Sequence, residues 1–338
     1  MNFRSDDYQN SLDDLSNCTF LFKSYSTYYL PTNYFNFMNW SSPDKVIIQG
    51  ITEPQAALVA VEMKNYGTDI VAGVSPGRGG KTIESIPIFD LVEQVLTLVD
   101  EIDISIIFVS PCQVLDAVKE AISVGIKRII IITKNVPPLD TIKLVKYAQA
   151  NNTCILGPGS DGIIIPERFC LGKLQPEFFQ SGKVGLITES RDICYEVVTE
   201  LNRADLGQSI AISLGSDRIV GSNLSQWLSI LDEDPNTEAI VSIGKDIKNA
   251  EEIAIFCKDR DCHKPIVSYT AGLKTPQERI YSDAVTIISN HLSASIPAVN
   301  LERRIMNKLK KVGIKIAQRP SKIPLMLLEM LNNKADKS

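Results

Sequence analysis

The sequence predicts an α/β protein built of two doubly wound, parallel-sheet domains. Three observations carry that expectation. The strands are continuous apolar runs instead of alternating ones, the pattern of strands covered on both faces. Helical segments stand between them, as parallel connections require. The chain has 338 residues, enough for two domains of ordinary size, and its rhythm breaks once, across residues 163–182.

From Asp44 the elements follow in order. "KVIIQG" (45–50) is a strand by its β-branched run. Pro54 sits at the favoured first position of a helix reaching Asn65. "DIVAGV" (69–74) is the second strand, and apolar residues at helical spacing place a helix around "FDLVEQVLTLVD" (89–100). Strand "ISIIFV" (104–109), helix "QVLDAVKEAISVG" (113–125), strand "RIIIIT" (128–133), helix "LDTIKLVKYAQAN" (139–151) and strand "CILGPG" (154–159) complete this half. Residues 163–182 hold two prolines and no sustained helical pattern, so they read as a linker. The second half repeats the alternation. It has strands at 183–188, 209–215, 237–244, 265–272, 284–289 and 314–318, and helices at 193–204, 223–234, 250–259, 301–313 and 324–333. The expected organisation is an N-terminal arm (1–43), a first doubly wound domain (44–162), the linker, a second doubly wound domain (183–333) and a tail (334–338).

Composition excludes several classes of function. Acidic residues outnumber basic ones, 40 to 35, giving a net charge of −5 that disfavours nucleic acid as a partner. No apolar run approaches the roughly 18–20 residues that span a bilayer. Seven cysteines, an odd number without a CxxC pair, suit reduced thiols in a cytoplasmic protein. The two histidines, His263 and His291, have no ligand set at metal spacing, and no metal is expected. Residues 1–37 carry Asp6, Asp7, Asp13 and Asp14 against Arg4 and Lys23, unlike a basic transit peptide. They read as a frayed arm, or as upstream sequence with Met38 the true start.

In a doubly wound sheet, ligands bind outside the C-terminal ends of the strands. The first such loop, "QGITEPQAA", has Gly50 but not the GxGxxG of a dinucleotide fold. The second strand ends in "GVSPGRGGKT". There Arg78 and Lys81 stand among glycines where an NAD enzyme would place an acid. A guanidinium on such a loop suits a phosphate, as in coenzyme A or NADP, and the alternative is a flexible basic turn. Cys112 lies near a helix start, but no His partner is evident, so a buried, inert thiol is expected. Ser190 and Asp192, in "TESRDICYE", are ordinary N-cap residue types.

The ordered motifs "QGIT…YGT…GVSPGRGG…IPIFD", "ITK.VP.LD", "GKVGLIT.S….YE", "GSN", "DP.TEAIV.IG" and "Y.AG…P" are not generic. Over residues 44–332 the chain resembles the α subunit of succinyl-CoA synthetase, an ADP- or GDP-forming acid–CoA ligase of the tricarboxylic acid cycle. The resemblance implies that residues 44–162 form a Rossmann-like CoA-binding domain and residues 183–333 a flavodoxin-like domain. It also implies a heterodimer or heterotetramer with an ATP-grasp β subunit, which brings ATP or GTP with Mg, and a dicarboxylate substrate. A histidine of the α subunit relays the phosphoryl group in that family. Carried over, the CoA contacts fall on Thr52, Glu53, Pro54, Gln55, Arg78, Ile132, Thr133 and Lys134, and a substrate-region tyrosine falls on Tyr195. Two glycines of the phosphate loop are Glu53 and Ala56 here, which implies weakened CoA affinity.

The catalytic positions depart further. The family histidine of "GHAGAII" is Asp283 in "SDAVTII". Its glutamate partner in "IGE.GG" is Lys245 in "IGKDIKN". The helix-opening "SRSGT" has become "TESRD", which puts Arg191 and Asp192 after Ser190 at the phosphate-helix start. "GPNCPG" has become "GPGSDG". Three alternatives stand. One is a ligase subunit whose relay runs through Asp283, since aspartyl phosphates are legitimate intermediates. Another is a catalytically silent, CoA-binding regulatory subunit in which Asp283 pairs with Lys245 or Arg191. The last is an NADP-binding oxidoreductase, which Arg78 favours and the missing GxGxxG opposes.

Overall fold

In the computed structural model the described residues are 44–244, 247–259, 262–270, 309 and 314–335. The first sheet holds β1 (Val46–Gln49), β2 (Ile70–Val74), β3 (Thr82–Ile83), β4 (Ile86–Phe89), β5 (Ile104–Ile107), β6 (Arg128–Ile131) and β7 (Cys154–Leu156). Their order is β3-β4-β2-β1-β5-β6-β7. All neighbours are parallel except the β3–β4 hairpin. Every residue of β1, β5 and β6 is buried, as their unbroken apolar runs require. Four helices belong to this half: α1 (Pro54–Asn65), α2 (Val92–Val95), α3 (Val114–Ser123) and α4 (Pro138–Ala150). Ile47, Val118, Ile131 and Leu144 lie in one continuous core cluster of strand and helix side chains. At the N-terminal edge, Arg128 is buried and bonds both carboxylate oxygens of Asp44 at 2.9 Å and Asp103 at 3.3 Å. That clamp ties the starts of β1, β5 and β6 together and leaves their opposite ends free for loops.

The second sheet holds β8 (Gly162–Ile165), β9 (Phe169–Gly172), β10 (Ser181–Thr188), β11 (Gln208–Ser213), β12 (Ala239–Gly244), β13 (Ile266–Thr270) and β14 (Lys315–Ala317). Their order is β14-β13-β12-β10-β11-β8-β9. The strands from β14 to β11 run parallel; β8 and β9 join antiparallel at the edge. Helices α5 (Arg191–Arg203), α6 (Leu224–Glu233), α7 (Ile247–Asp259) and α8 (Ile323–Ala335) accompany it. Val184, Val198, Val241, Ile323 and Leu327 share its core.

Three local expectations are corrected. The hairpin β3–β4 replaces an expected loop. Its two turn residues, Glu84 and Ser85, have φ of 46° and 68°, the primed-turn geometry that Asn-Gly usually advertises, and Glu-Ser gives no such signal. The helix expected over 89–100 shrinks to α2. Past Val95, bonds from Thr97 N–H to Gln94 O and from Leu98 N–H to Val95 O tighten the chain into i→i+3 turns. Part of the expected linker 163–182 is ordered into strands. β8, β9 and the first residues of β10 fall within it, and Gly162 pairs with Gly172 and with Ser213. The expected strand at 284–289 and most of the helix at 301–313 lie outside the described residues.

Candidate functional site

In the first sheet β1 has β2 on one flank and β5 on the other. The strand order reverses there, which opens a crevice beyond the strands' C-terminal ends. Gly50 makes the crevice tight: at φ +83°, a Cβ on it would stand 2.8 Å from Val109 N. After it, Thr52, Glu53, Pro54 and Gln55 are all exposed. Glu53 is the N-cap of α1 but makes no side-chain cap bond, and Pro54 occupies the first turn. The first intrahelical bond runs from Ala57 N–H to Glu53 O at 3.1 Å. The N–H groups of Gln55 and Ala56 precede it at the positive end of the helix.

Thr52 Oγ1 lies 2.7 Å from Ser75 Oγ, which joins this loop to the glycine-rich one after β2. That second loop is shaped by Asp90, whose Oδ1 accepts from Arg78 N–H at 3.0 Å and Gly79 N–H at 2.9 Å. A Cβ on Gly79 would come within 2.6 Å of Asp90 Oδ2. The Asp90 carboxylate therefore fixes the backbone, while the Arg78 and Lys81 side chains remain exposed. A loop held this way presents a guanidinium and an ammonium without spending them on internal partners. Sequence reasoning missed Asp90, although it closes the quoted "IPIFD" motif.

The loops after β5 and β6 adjoin these. Thr133 Oγ1 donates to Val109 O at 2.7 Å, Lys134 is exposed, and Ile132 is buried. Ile132 thus offers only its backbone at this loop. Asp217, which sequence reasoning also missed, accepts from Asn135 N–H at 3.1 Å and Val136 N–H at 3.0 Å. It ties this loop to the one after β11. Cys112 is exposed, contrary to expectation: it sits in a one-turn 3₁₀ segment ahead of α3 instead of on a packed face. Burial pushes the thiols of Cys154, Cys170 and Cys194 up to about 12, which makes them poor nucleophiles.

The second sheet has its own reversal at β10, between β11 and β12. The chain leaves β10 through Ser190 into α5. Ser190 occupies the N-cap position but makes no side-chain cap bond. Arg191 pairs loosely with exposed Asp192, at 3.8 Å, and with Asp161 at 3.9 Å. Asp161 is buried and has Lys173 as a second cation at 3.9 Å. Tyr195 serves packing: its hydroxyl accepts from Gln175 N–H at 3.1 Å and its ring stacks on Phe178 at 4.7 Å. Burial, above all, raises its phenol to about 12. Asp283, Lys245 and His291 lie outside the described residues. Among the described residues no cluster of His, Cys, Asp and Glu offers a metal site, and no helix is long and apolar enough to cross a membrane.

Comparison with known proteins fits this architecture. Residues 41–135 match the family model described as CoA binding domain, and residues 181–290 match the succinyl-CoA ligase-like flavodoxin domain. The α subunit 2 of an ADP-forming succinate–CoA ligase from Archaeoglobus fulgidus is 33% identical over 287 residues, spanning 85% of this chain and 97% of the relative. The corresponding Aquifex aeolicus α subunit is 32% identical over 281 residues, 82% of this chain and 90% of the relative. Among solved structures, an ATP citrate lyase from Methanothrix soehngenii, in complex with citrate and coenzyme A, superposes with a TM-score of 0.70 at 16% identity. That match covers 89% of this chain and 52% of the lyase. A Ca. Korarchaeum cryptofilum acetyl-coenzyme A synthetase gives 0.62 at 18% identity, covering 82% of this chain and 58% of that one. This chain therefore spans little more than half of those structures, and the likeness to them is one of fold.

Proposed function

The chain belongs to the succinate–CoA ligase α-subunit family, and on that premise we propose that it is the CoA-binding α-like subunit of an acid–CoA ligase assembly, without the family's phosphohistidine relay. One observation carries the CoA half of this proposal. At the first reversal point, the uncapped start of α1, the Asp90-braced Arg78 loop and the exposed Lys134 share one edge of the sheet. Cations beside a helix N-terminus suit the phosphates of CoA. Thr52, Gln55 and the backbone of 132–134 complete the rim. The exposed Glu53 opposes it with a negative charge. Arg78→Ala should therefore weaken CoA about tenfold, and Glu53→Gln should tighten it a few-fold. Calorimetric titration reads both, and an unchanged affinity in Arg78→Ala would remove that arginine from the site.

The sequence supports the loss of the relay: Asp283 and Lys245 stand at the family's histidine and glutamate positions. An ATP-grasp β subunit would supply the site for ATP or GTP with Mg, and a dicarboxylate would be the acid. The test is thioester formation by the chain co-expressed with that partner, given ATP, succinate and CoA. CoA binding without acyl-CoA formation is the expected result. Product whose formation depends on Asp283 would show a relay rebuilt on a carboxylate and overturn the proposal.

A further inference from the structure

Two thiols meet at the N-terminal edge of the second sheet. Cys257 lies in the last turn of α7, and Cys262 lies in the segment that leads into β13. Their sulfurs are 2.8 Å apart, within about 1 Å of the ~2.04 Å of an S–S bond. Both residues are half-buried, whereas Cys154, Cys170 and Cys194 are buried and Cys112 is exposed. Small reagents can therefore reach the pair.

The fold fixes both partners. α7 buries Ile253 and Phe256, which seats Cys257 beside them. Asp232, in α6, pins the other side: its Oδ1 accepts from His263 N–H at 3.0 Å and from Lys264 N–H at 2.9 Å. Lys264 Nζ donates to Leu231 O at 2.6 Å and to Asp234 O, which anchors the same segment to the end of α6. A bond between groups already held this way needs little further ordering, so the second thiol outcompetes a thiol from solution. The hydrogen bond with Cys262, then burial, then the charges of Cys262 and Asp232 hold the Cys257 thiol well above its ordinary range. Cys262 therefore ionises first and is the attacking sulfur.

We infer that Cys257 and Cys262 form a redox pair, a modification site at which a low-molecular-weight disulfide of the oxidised-glutathione class closes a reversible intramolecular disulfide. The Cys262 thiolate attacks one sulfur of the small disulfide; a mixed disulfide forms, and the other half leaves as a thiolate that takes up a proton. Cys257 then gives up its proton and attacks the Cys262 sulfur, and the second half leaves as a thiol. Two protein thiols are oxidised and one small disulfide is reduced to two thiols. The new bond joins the end of α7 to the approach to β13. The pair lies at the edge opposite the strands' C-terminal ends, where the candidate sites are, and its chemistry does not depend on CoA binding.

The full chain is equilibrated with mixtures of reduced and oxidised glutathione, the remaining thiols are blocked with N-ethylmaleimide, and intact mass with peptide mapping locates the change. As the pool is oxidised, wild type should lose two alkylatable thiols and two hydrogens, with the peptides of Cys257 and Cys262 linked. Dithiothreitol should reverse this. Cys257→Ser should stop at a glutathione mixed disulfide on Cys262. Cys262→Ser should leave Cys257 to react about tenfold more slowly than Cys262 does in Cys257→Ser. The exposed Cys112 is the internal control for a thiol without a partner sulfur. If Cys112 takes up glutathione while Cys257 and Cys262 both stay alkylatable, the inference is wrong. It is equally wrong if each of the two carries its own glutathione and no link joins them. The wild-type map decides this even where a serine variant fails to fold. CoA titrated into reduced and oxidised samples reads the first-sheet site separately: no CoA binding in either would sink the proposed function and leave the redox pair standing.

Discussion

Gly162→Ala should cost on the order of 4 kcal/mol or more and leave little folded protein. Gly162 opens β8 at φ +104°, a backbone region that L side chains rarely adopt. A Cβ there would lie 1.9 Å from Leu171 O and 2.8 Å from its carbonyl carbon. Nothing flexible is in the way; both contacts are main chain, so relief requires β8 and β9 to part. Parting them breaks the Gly162–Gly172 pairing and disturbs the partnership of β8 with β11. It also displaces the Asp161–Lys173 backbone bond beside the second site. The control is Gly80→Ala, at φ +80° with nothing within 4 Å of the added Cβ, which carries conformational strain of about 1 kcal/mol and no clash. Urea midpoints measure both. Equal losses in the two variants would mean that the strands accommodate the methyl, and that the close approach at Gly162 does not matter.

Gly162 and its partner Gly172 show where the sequence is readable. Continuous β-branched runs such as "VII" and "IIII", each followed by turn residues and a helical segment, announce strands buried on both faces. β1, β5 and β6 were legible for that reason. The antiparallel edge was not. β8 and β9 depend on Gly162 and Gly172 fitting against each other's backbone, a long-range fact that local composition hides, and the prolines nearby read as a linker. The candidate sites divide in the same way. Arg78 and Thr52 could be singled out from sequence because they stand on loops at strand ends, where ligands of such sheets bind. Asp90, Asp217 and Lys173 were not, since each acts across 11 to 82 positions, on Arg78–Gly79, on Asn135–Val136 and on Asp161. An aspartate whose partner is a distant backbone N–H looks, in sequence, like any surface acid.

Lys173→Met should destabilise the chain by about 3 kcal/mol through the charge it leaves behind. The Lys173 and Asp161 side chains are 11% and 10% exposed, so solvent screens neither, and Arg191 is the other cation near the carboxylate. Methionine keeps most of the volume, which makes lost packing a minor contribution. The double variant Asp161→Asn, Lys173→Met removes both charges and should recover all but about 1 kcal/mol, because a buried pair is worth little net while half of one is costly. Urea unfolding of the singles and the double closes the cycle. A double variant no more stable than Lys173→Met would show that the stem of the lysine, not its charge, supports the fold. The pH dependence gives an independent check on the sign. Burial lowers the pKa of Lys173 in the folded chain below the ordinary lysine value of 10.5. Between the folded value and 10.5 the unfolded chain therefore binds more protons, and this group's contribution rises with pH, falling away as pH drops through the folded value. Lys173→Met should lack that alkaline increment relative to wild type. An identical alkaline slope in the two proteins would mean that the ammonium is hydrated in the native state and that the pair behaves as a solvent-exposed one.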